Sequence, residues 1–176
     1  MNGDTPPEIW RFALALYRAP GVADACLALQ DRHGADVVLL IGLCWLAWRD
    51  SAVCDAAQIA ELDAALAGWR AEIVLPLRAL RRRLKPRLAD LPASASAARD
   101  RIKDAELAGE RVALDLFAAA ADRLGPSQRA NSSHDAALRT LRCYIDGLDA
   151  ANRVETAPFV RSLAVATDGL DRASFA

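Results

Sequence analysis

The longest uninterrupted apolar stretch of the chain runs from Val37 to Trp48 and is apolar on every side of a helical wheel. A helix of this kind has to be covered by neighbours all round. Its twelve residues give a helix of about 18 Å, which is too short for a hydrocarbon core of roughly 30 Å. The stretch therefore predicts a central core helix in a helical protein, and we expect no membrane span in the chain.

The composition is that of a single globular domain. The 176 residues are 53% hydrophobic and 26% charged, which suffices for a proper core. The net charge of −1 gives no overall attraction to nucleic acid or to an anionic membrane. The chain begins Met-Asn-Gly-Asp, which is no secretory signal, so we expect a cytoplasmic protein. The four cysteines form no Cys-x-x-Cys pair, and we expect neither a metal site nor a cofactor.

Helix signals follow one another in the first part of the chain. A first helix is predicted to run to about Arg18, with Thr5 as its cap. A second helix is predicted from Val22 to His33, and Gly34 stands at the usual position of a C-terminal glycine. Asp36 is expected to cap the central helix.

The longest amphipathic pattern predicts one helix of about seven turns, roughly 39 Å long. Pro76 lies inside it and removes a hydrogen bond to the carbonyl of Glu72, so we expect a kink between these residues. Lys85 precedes a proline and is expected to end the helix. The apolar stripe consists of Ile59, Leu62, Leu66, Trp69, Ile73, Leu77, Leu80 and Leu84.

The second part of the chain predicts two further helices, from about Ala97 to Leu124 and from Asp135 to Asp149, separated by a surface loop. No strand is predicted, and Pro158 argues against continuing a helix through the tail. The inward face of the longer helix is expected to contain Ile102, Ala105, Gly109, Val112, Leu116, Phe117 and Ala120.

Together these patterns predict an all-α fold. We expect a single-domain bundle of about six helices around a buried central hydrophobic helix. The bundle domain is predicted to span residues 1–155, and residues 156–176 are predicted to form a C-terminal tail that can pack on it.

Four segments resemble a small proteobacterial family of all-helical proteins that is classed as a domain of unknown function. They are residues 17–22 (Tyr-Arg-Ala-Pro-Gly-Val), 26–37, 45–47 and 76–78, and beyond Lys85 there is no specific match. That family often carries an asparagine where this chain has Val38, so a polar role of that position is absent here. The resemblance implies a compact, cytoplasmic, helical protein and no transferable activity.

The densest charge cluster lies at the end of the long amphipathic helix. Cations gather at helix C-termini because of the macrodipole, which is the structural interpretation. The functional alternatives are binding to an acidic protein partner and, with less support from a slightly acidic chain, binding to nucleic acid. The candidate partner-binding residues are Arg78, Arg81, Arg82, Arg83, Lys85 and Arg87.

Two other segments have both a functional and a purely structural interpretation. The corner from Gln30 to Asp36 places His33 between two carboxylates, which suits acid–base chemistry but more often holds a helix corner together. The kink at Pro76 frees a backbone carbonyl beside Glu72, and with Trp45 and Trp69 it gives a candidate ligand pocket.

No catalytic constellation accompanies these features. The sequence has no Glu-x-x-His pair, no Gly-x-Ser-x-Gly elbow and no glycine-rich phosphate loop,. We therefore predict a protein-binding adaptor or regulatory module, which binds a protein partner or itself, and no enzyme. The alternatives are an enzyme or carrier that holds a small apolar ligand within the bundle, and a nucleic-acid-binding protein that uses residues 78–87.

Overall fold

The structure, a computed structural model, describes residues 7–124, 128–149 and 152–175, and most of them are helical. The α-helices are α1 (Glu8–Arg18), α2 (Val22–His33), α3 (Val37–Asp50), α4 (Ala56–Trp69), α5 (Leu75–Leu84), α6 (Ser94–Ala121), α7 (Ser133–Asp149) and α8 (Arg153–Asp168). A π-helical segment (Arg70–Val74) joins α4 to α5, 3-10 helices span Lys85–Asp90 and Arg172–Phe175, and two short strands are β1 (Ala52–Val53) and β2 (Gln128–Arg129). The predicted all-α bundle is confirmed.

Helix α3 is the centre of this bundle, as predicted. Every residue from Val38 to Trp48 is buried, and α1, α2, α6, α7 and α8 all pack against the helix. The C-terminal segment also reaches it, because the indole N–H of Trp48 donates to the carbonyl of Leu170 at 3.0 Å. The Phe175 ring lies edge-on to the Trp48 ring, with 5.0 Å between the centroids.

The corner between α2 and α3 is formed as the sequence predicts. Gly34 has φ 71° and ends α2, and its N–H donates to the carbonyls of Gln30 and Leu29. Asp36 caps α3, because its Oδ1 accepts the N–H of Leu39 at 2.9 Å. Its Oδ2 accepts from Nη1 of Arg70 at 3.2 Å, so one carboxylate joins the start of α3 to the end of α4.

We expect Asp36→Ala to lower the free energy of unfolding by about 1–2 kcal/mol, because it removes the cap of α3 and one of the two carboxylate partners of Arg70, the other being Asp63. Asp36→Asn keeps a cap acceptor and is expected to recover most of the loss. Urea unfolding followed by circular dichroism measures both. Asp55, which caps α4 in a capping box, supplies the matched control. A loss from Asp36→Ala below that from Asp55→Ala would contradict the linking role.

The break predicted between Glu72 and Pro76 takes the form of a π-helical turn. Pro76 has no N–H to offer to the carbonyl of Glu72. Just before this proline the helix forms one wider, π-helical turn, in which the N–H of Leu75 donates to the carbonyl of Arg70, five residues back. Such π turns occur mostly as single insertions inside α-helices. Helices α4 and α5 are thus one rod with a π turn in the middle.

The tail prediction at Pro158 is wrong. Helix α8 runs through this proline, and Val160, Leu163 and Ala164 of the helix are buried. The missing proline N–H affects only the carbonyl of Val154, four residues back, and Val154 is 89% exposed, so water can satisfy that carbonyl. Helix α8 packs on α7, α2 and α3 and is the seventh helical rod of the described residues, one more than expected.

Two further predictions differ from the structure. Residues 52–53 and 128–129 form a small antiparallel pair, where no strand was expected. The predicted inward face of α6 is partly wrong, because Ala105 is exposed and Val112 and Leu116 are more than one third exposed. The cap Thr5 lies outside the described residues.

The stretch from α5 to the first turns of α6 extends beyond the core. Helix α5 and the 3-10 helix after it contain no buried residue, and the first buried residue of α6 is Glu106. We call residues 75–104 the basic arm, because they contain nine basic and three acidic residues.

Among the described residues, each helix taken singly is too short or too polar to cross a bilayer. Helices α1 and α2 reach a sufficient length and apolar composition only as a pair, and they are bent by 95° at the break between them.

Candidate functional site

A groove opens at the surface between α1, α2 and α6, with the first turns of α3 as its floor and α5 at one end. Its volume is about 310 Å³. The apolar walls come from helices whose other faces are in the core, so the groove is held by the bundle and not by loops. The apolar lining includes Trp10, Leu14, Tyr17, Leu27, Val37, Val38, Ile41, Leu107 and Leu114.

Large apolar side chains in this groove are open to water. Leu14 is 36% exposed, Tyr17 39%, and Leu27 and Leu107 are each 45% exposed. Single exposed apolar residues are normal on a protein surface, whereas a contiguous group around a cavity is typical of a binding surface. The four residues come from three different helices, so no single helical pattern reveals them.

The polar end of the groove is an ion-pair network around Glu106, a residue that is only 5% exposed. Its Oε1 accepts from Nε of Arg78 at 2.9 Å and from Nη2 of Arg81 at 3.1 Å, and its Oε2 accepts from Nε of Arg81. Nη2 of Arg78 also donates to Glu110 at 2.6 Å. Two guanidinium groups from α5 are thus fixed by two carboxylates from α6.

The two carboxyl groups of this network respond differently to their surroundings. Burial works to raise the pKa of Glu106, but the hydrogen bonds from Arg81 and Arg78 outweigh it, and the pKa lies below its ordinary value. Burial raises the pKa of Glu110, and its single arginine partner offsets this only in part. Glu106 is therefore the anion that holds the network together.

The structure divides the predicted basic cluster into two groups. Arg78 and Arg81 line the groove and are neutralised by the network. Arg82 forms an exposed pair with Asp31 at 2.9 Å. The remaining exposed cations of the cluster are Arg83, Lys85 and Arg87. This division leaves fewer cations for phosphate contacts than the sequence pattern suggests.

None of the candidate pocket residues Glu72, Trp45 and Trp69 lines the groove. Trp45 is buried, its indole N–H donates to Glu8 at 3.0 Å, and the guanidinium of Arg49 lies 4.2 Å from its ring centroid. The indole N–H of Trp69 donates to the carbonyl of Gly109 at 2.8 Å. Glu72 is exposed on the π turn. The two tryptophans serve packing between helices.

The corner around His33 also joins helices. Its Nε2 lies 3.9 Å from Oε1 of Glu155, which connects α2 to α8. The neighbouring carboxylates are engaged elsewhere, Asp31 with Arg82 and Asp36 with Leu39 and Arg70. These contacts join helices, which is the structural interpretation of the corner.

The buried thiols are packing groups. Burial raises the pKa of Cys26 and of Cys44 to about 12 and that of Cys54 to about 11. These thiols stay protonated at neutral pH, and the thiolate is the reactive form of cysteine.

Sequence reasoning missed the acidic half of the network and the unpaired cation beside it. Lys103 is exposed at the groove, and no ion pair is formed by it with the described residues. A signal was present, because Glu106 and Glu110 are four residues apart on α6, and Arg78 and Arg81 are three apart on α5. Complementary charges at helical spacing on consecutive helices indicate such a contact.

A family model described as a protein of unknown function (DUF2390) matches residues 8–117, which is more than half of the chain. This confirms the resemblance noted in the sequence. The matched stretch contains all the residues that line the groove. Neither the curated proteins nor the solved structures contain a significant match.

Proposed function

The chain belongs to this family of proteins of unknown function (DUF2390), and we propose that it is a non-enzymatic, cytoplasmic adaptor that binds a partner protein in the groove between α1, α2 and α6. The observation that carries the proposal is the group of exposed apolar side chains around the groove: Leu14, Tyr17, Leu27 and Leu107. An amphipathic helix whose apolar face enters such a groove is a common mode of peptide recognition.

Charge complementarity gives the chemistry of the partner. The basic arm has a net charge of +6 in a chain of net charge −1, and Lys103 stands at the groove without a carboxylate among the described residues. Glu106 and Glu110 are already paired with arginines. The partner helix is therefore proposed to carry acidic residues beside its apolar face, which meet Lys103 and the exposed cations of the arm.

We expect Leu27→Ser with Leu107→Ser to weaken partner binding at least ten-fold, because these side chains are the most exposed apolar anchors of the groove. Affinity purification from the organism that encodes the protein, followed by native mass spectrometry, measures recovery and stoichiometry. Leu148→Ser with Val165→Ser is the matched control, since these exposed apolar residues lie on α7 and α8 away from the groove.

The charge contribution is tested by Arg83→Glu with Arg87→Glu, which leaves Arg81 and its pairing with Glu106 intact. Binding is expected to weaken and to fall further with salt. Equal recovery of the partner by the groove variant and by the control variant would contradict the proposal. If only a dimer of this chain is recovered, the partner in the groove is a second copy of the same protein and not a different protein.

A second candidate function, binding of a small apolar ligand, is favoured by the volume of the groove. Its 310 Å³ lies at the lower end of the range of about 300–1,000 Å³ that small-molecule sites occupy. Native mass spectrometry separates the two candidates, since a small ligand adds a few hundred daltons and a partner protein adds several thousand.

A further inference from the structure

A second surface cavity lies between α7 and α8, away from the groove. Its volume is about 420 Å³. Arg142 and Asp146 line it from α7, and Arg153, Ala157 and Arg161 line it from α8. Four-residue spacing places each set on one face of its helix. Ala157 separates the two arginines of α8 with a side chain too small to fill the space between them.

The charges of this cavity are unbalanced. Arg153 holds Asp146 through two hydrogen bonds, from Nε at 2.9 Å and from Nη2 at 2.6 Å. Arg142 and Arg161 form no ion pair with any other residue that the structure describes. Among the residues that line the cavity, three guanidinium groups thus share one carboxylate, which leaves an excess of two positive charges in the lining.

The pairing with Asp146 also orients the site. A guanidinium group has five N–H donors in a rigid plane, and Asp146 uses two of those of Arg153. Its remaining donors stay available to an anion, and two further guanidinium groups line the same cavity. Arginines that gather in this way suit an anion with several oxygens and a double negative charge.

We propose that the cavity between α7 and α8 is a binding site for a phosphate monoester group. The excess of two positive charges in the lining matches the double negative charge of such a group, and its three terminal oxygens can accept hydrogen bonds from both helices. The source of the group is either a soluble phosphorylated compound or a lipid headgroup such as that of phosphatidic acid. The site is independent of the groove and of its partner.

The test uses the full-length chain with three probes at constant ionic strength. Inorganic phosphate and phosphoserine are titrated by calorimetry, and phosphatidylcholine vesicles with and without phosphatidic acid are used in a flotation assay. Binding of the soluble probes identifies a soluble phosphorylated compound, and binding confined to phosphatidic acid vesicles identifies the lipid headgroup. Either result supports the site if the variants respond as expected.

The decisive variant is Arg142→Gln with Arg161→Gln, which is expected to weaken binding at least ten-fold. Arg18→Gln with Arg123→Gln removes the same charge from exposed positions that line neither this cavity nor the groove and is expected to leave binding within about two-fold. Both pairs are exposed, and circular dichroism checks that each variant is folded. Equal losses in the two variants, or no binding of any probe by the unaltered protein, would overturn the proposal.

Discussion

Gly42→Ala is expected to lower the free energy of unfolding by about 3 kcal/mol, because α3 passes α6 too closely for a side chain at this position. A Cβ on Gly42 would lie 2.6–2.7 Å from three carbon atoms of the Phe117 ring. Phe117 is completely buried, so its ring can move only by displacing other core atoms. The substitution therefore forces the two helices apart at the centre of the core.

Gly68→Ala is the matched control for this experiment. Gly68 is exposed near the end of α4, and a Cβ there meets no atom within 4 Å. Alanine at this helical position is expected to stabilise the protein by about 0.5–1 kcal/mol, since it restricts the unfolded chain. Urea unfolding of the two variants thus gives shifts of opposite sign. Tolerance of alanine at position 42 would contradict the close contact of α3 with α6.

Glu106→Gln is expected to lower the free energy of unfolding at neutral pH by about 2 kcal/mol. The change removes the carboxylate partner of Arg81 and leaves Arg78 with Glu110 alone, and a partly buried charge that loses its partner is costly. The guanidinium side chains keep 15% and 25% of their surface exposed, so water reduces the loss. Glu110→Gln is the control, and a smaller loss is expected because burial already disfavours the charged form of this carboxyl.

The loss in Glu106→Gln is expected to depend on pH. The pKa of Glu106 is lowered in the folded protein, so its stabilising effect is complete above the pKa of the unfolded chain and disappears as the pH falls through the folded-state pKa. The difference between the unaltered protein and Glu106→Gln should shrink on acidification. Chemical unfolding at a series of pH values measures it, and a constant difference would show that Glu106 acts through packing and not through its charge.

The features predicted correctly from the sequence are those fixed by local chemistry. The bounds of α2, the left-handed Gly34 and the Asp36 cap each depend on residues within one helical turn. The central position of α3 follows from its apolar composition alone. No partner in space is needed for any of these predictions.

The features that sequence reasoning missed depend on residues far apart in the chain. The inward face of α6 was misassigned because Glu106 occupies a buried position, which is tolerable only with Arg78 and Arg81 beside it. The groove combines exposed apolar residues from three helices, each of which looks like an ordinary surface residue in its own segment. Proline is tolerated at position 158 because the carbonyl that loses its hydrogen bond, that of Val154, lies in an exposed part of α8. The exposure of that carbonyl depends on the tertiary fold, and the local sequence does not show it.

The basic arm makes the charge distribution of the molecule uneven. Residues 75–104 carry +6, and the three carboxylates that pair with its arginines (Asp31, Glu106 and Glu110) reduce this to +3 in a chain whose total is −1. At an ionic strength of about 0.1 M the Debye length is about 10 Å, so this asymmetry is felt just before contact. When the protein approaches a negatively charged surface, electrostatic attraction therefore rotates it so that the basic arm faces that surface. Fewer encounters then begin in an unproductive orientation.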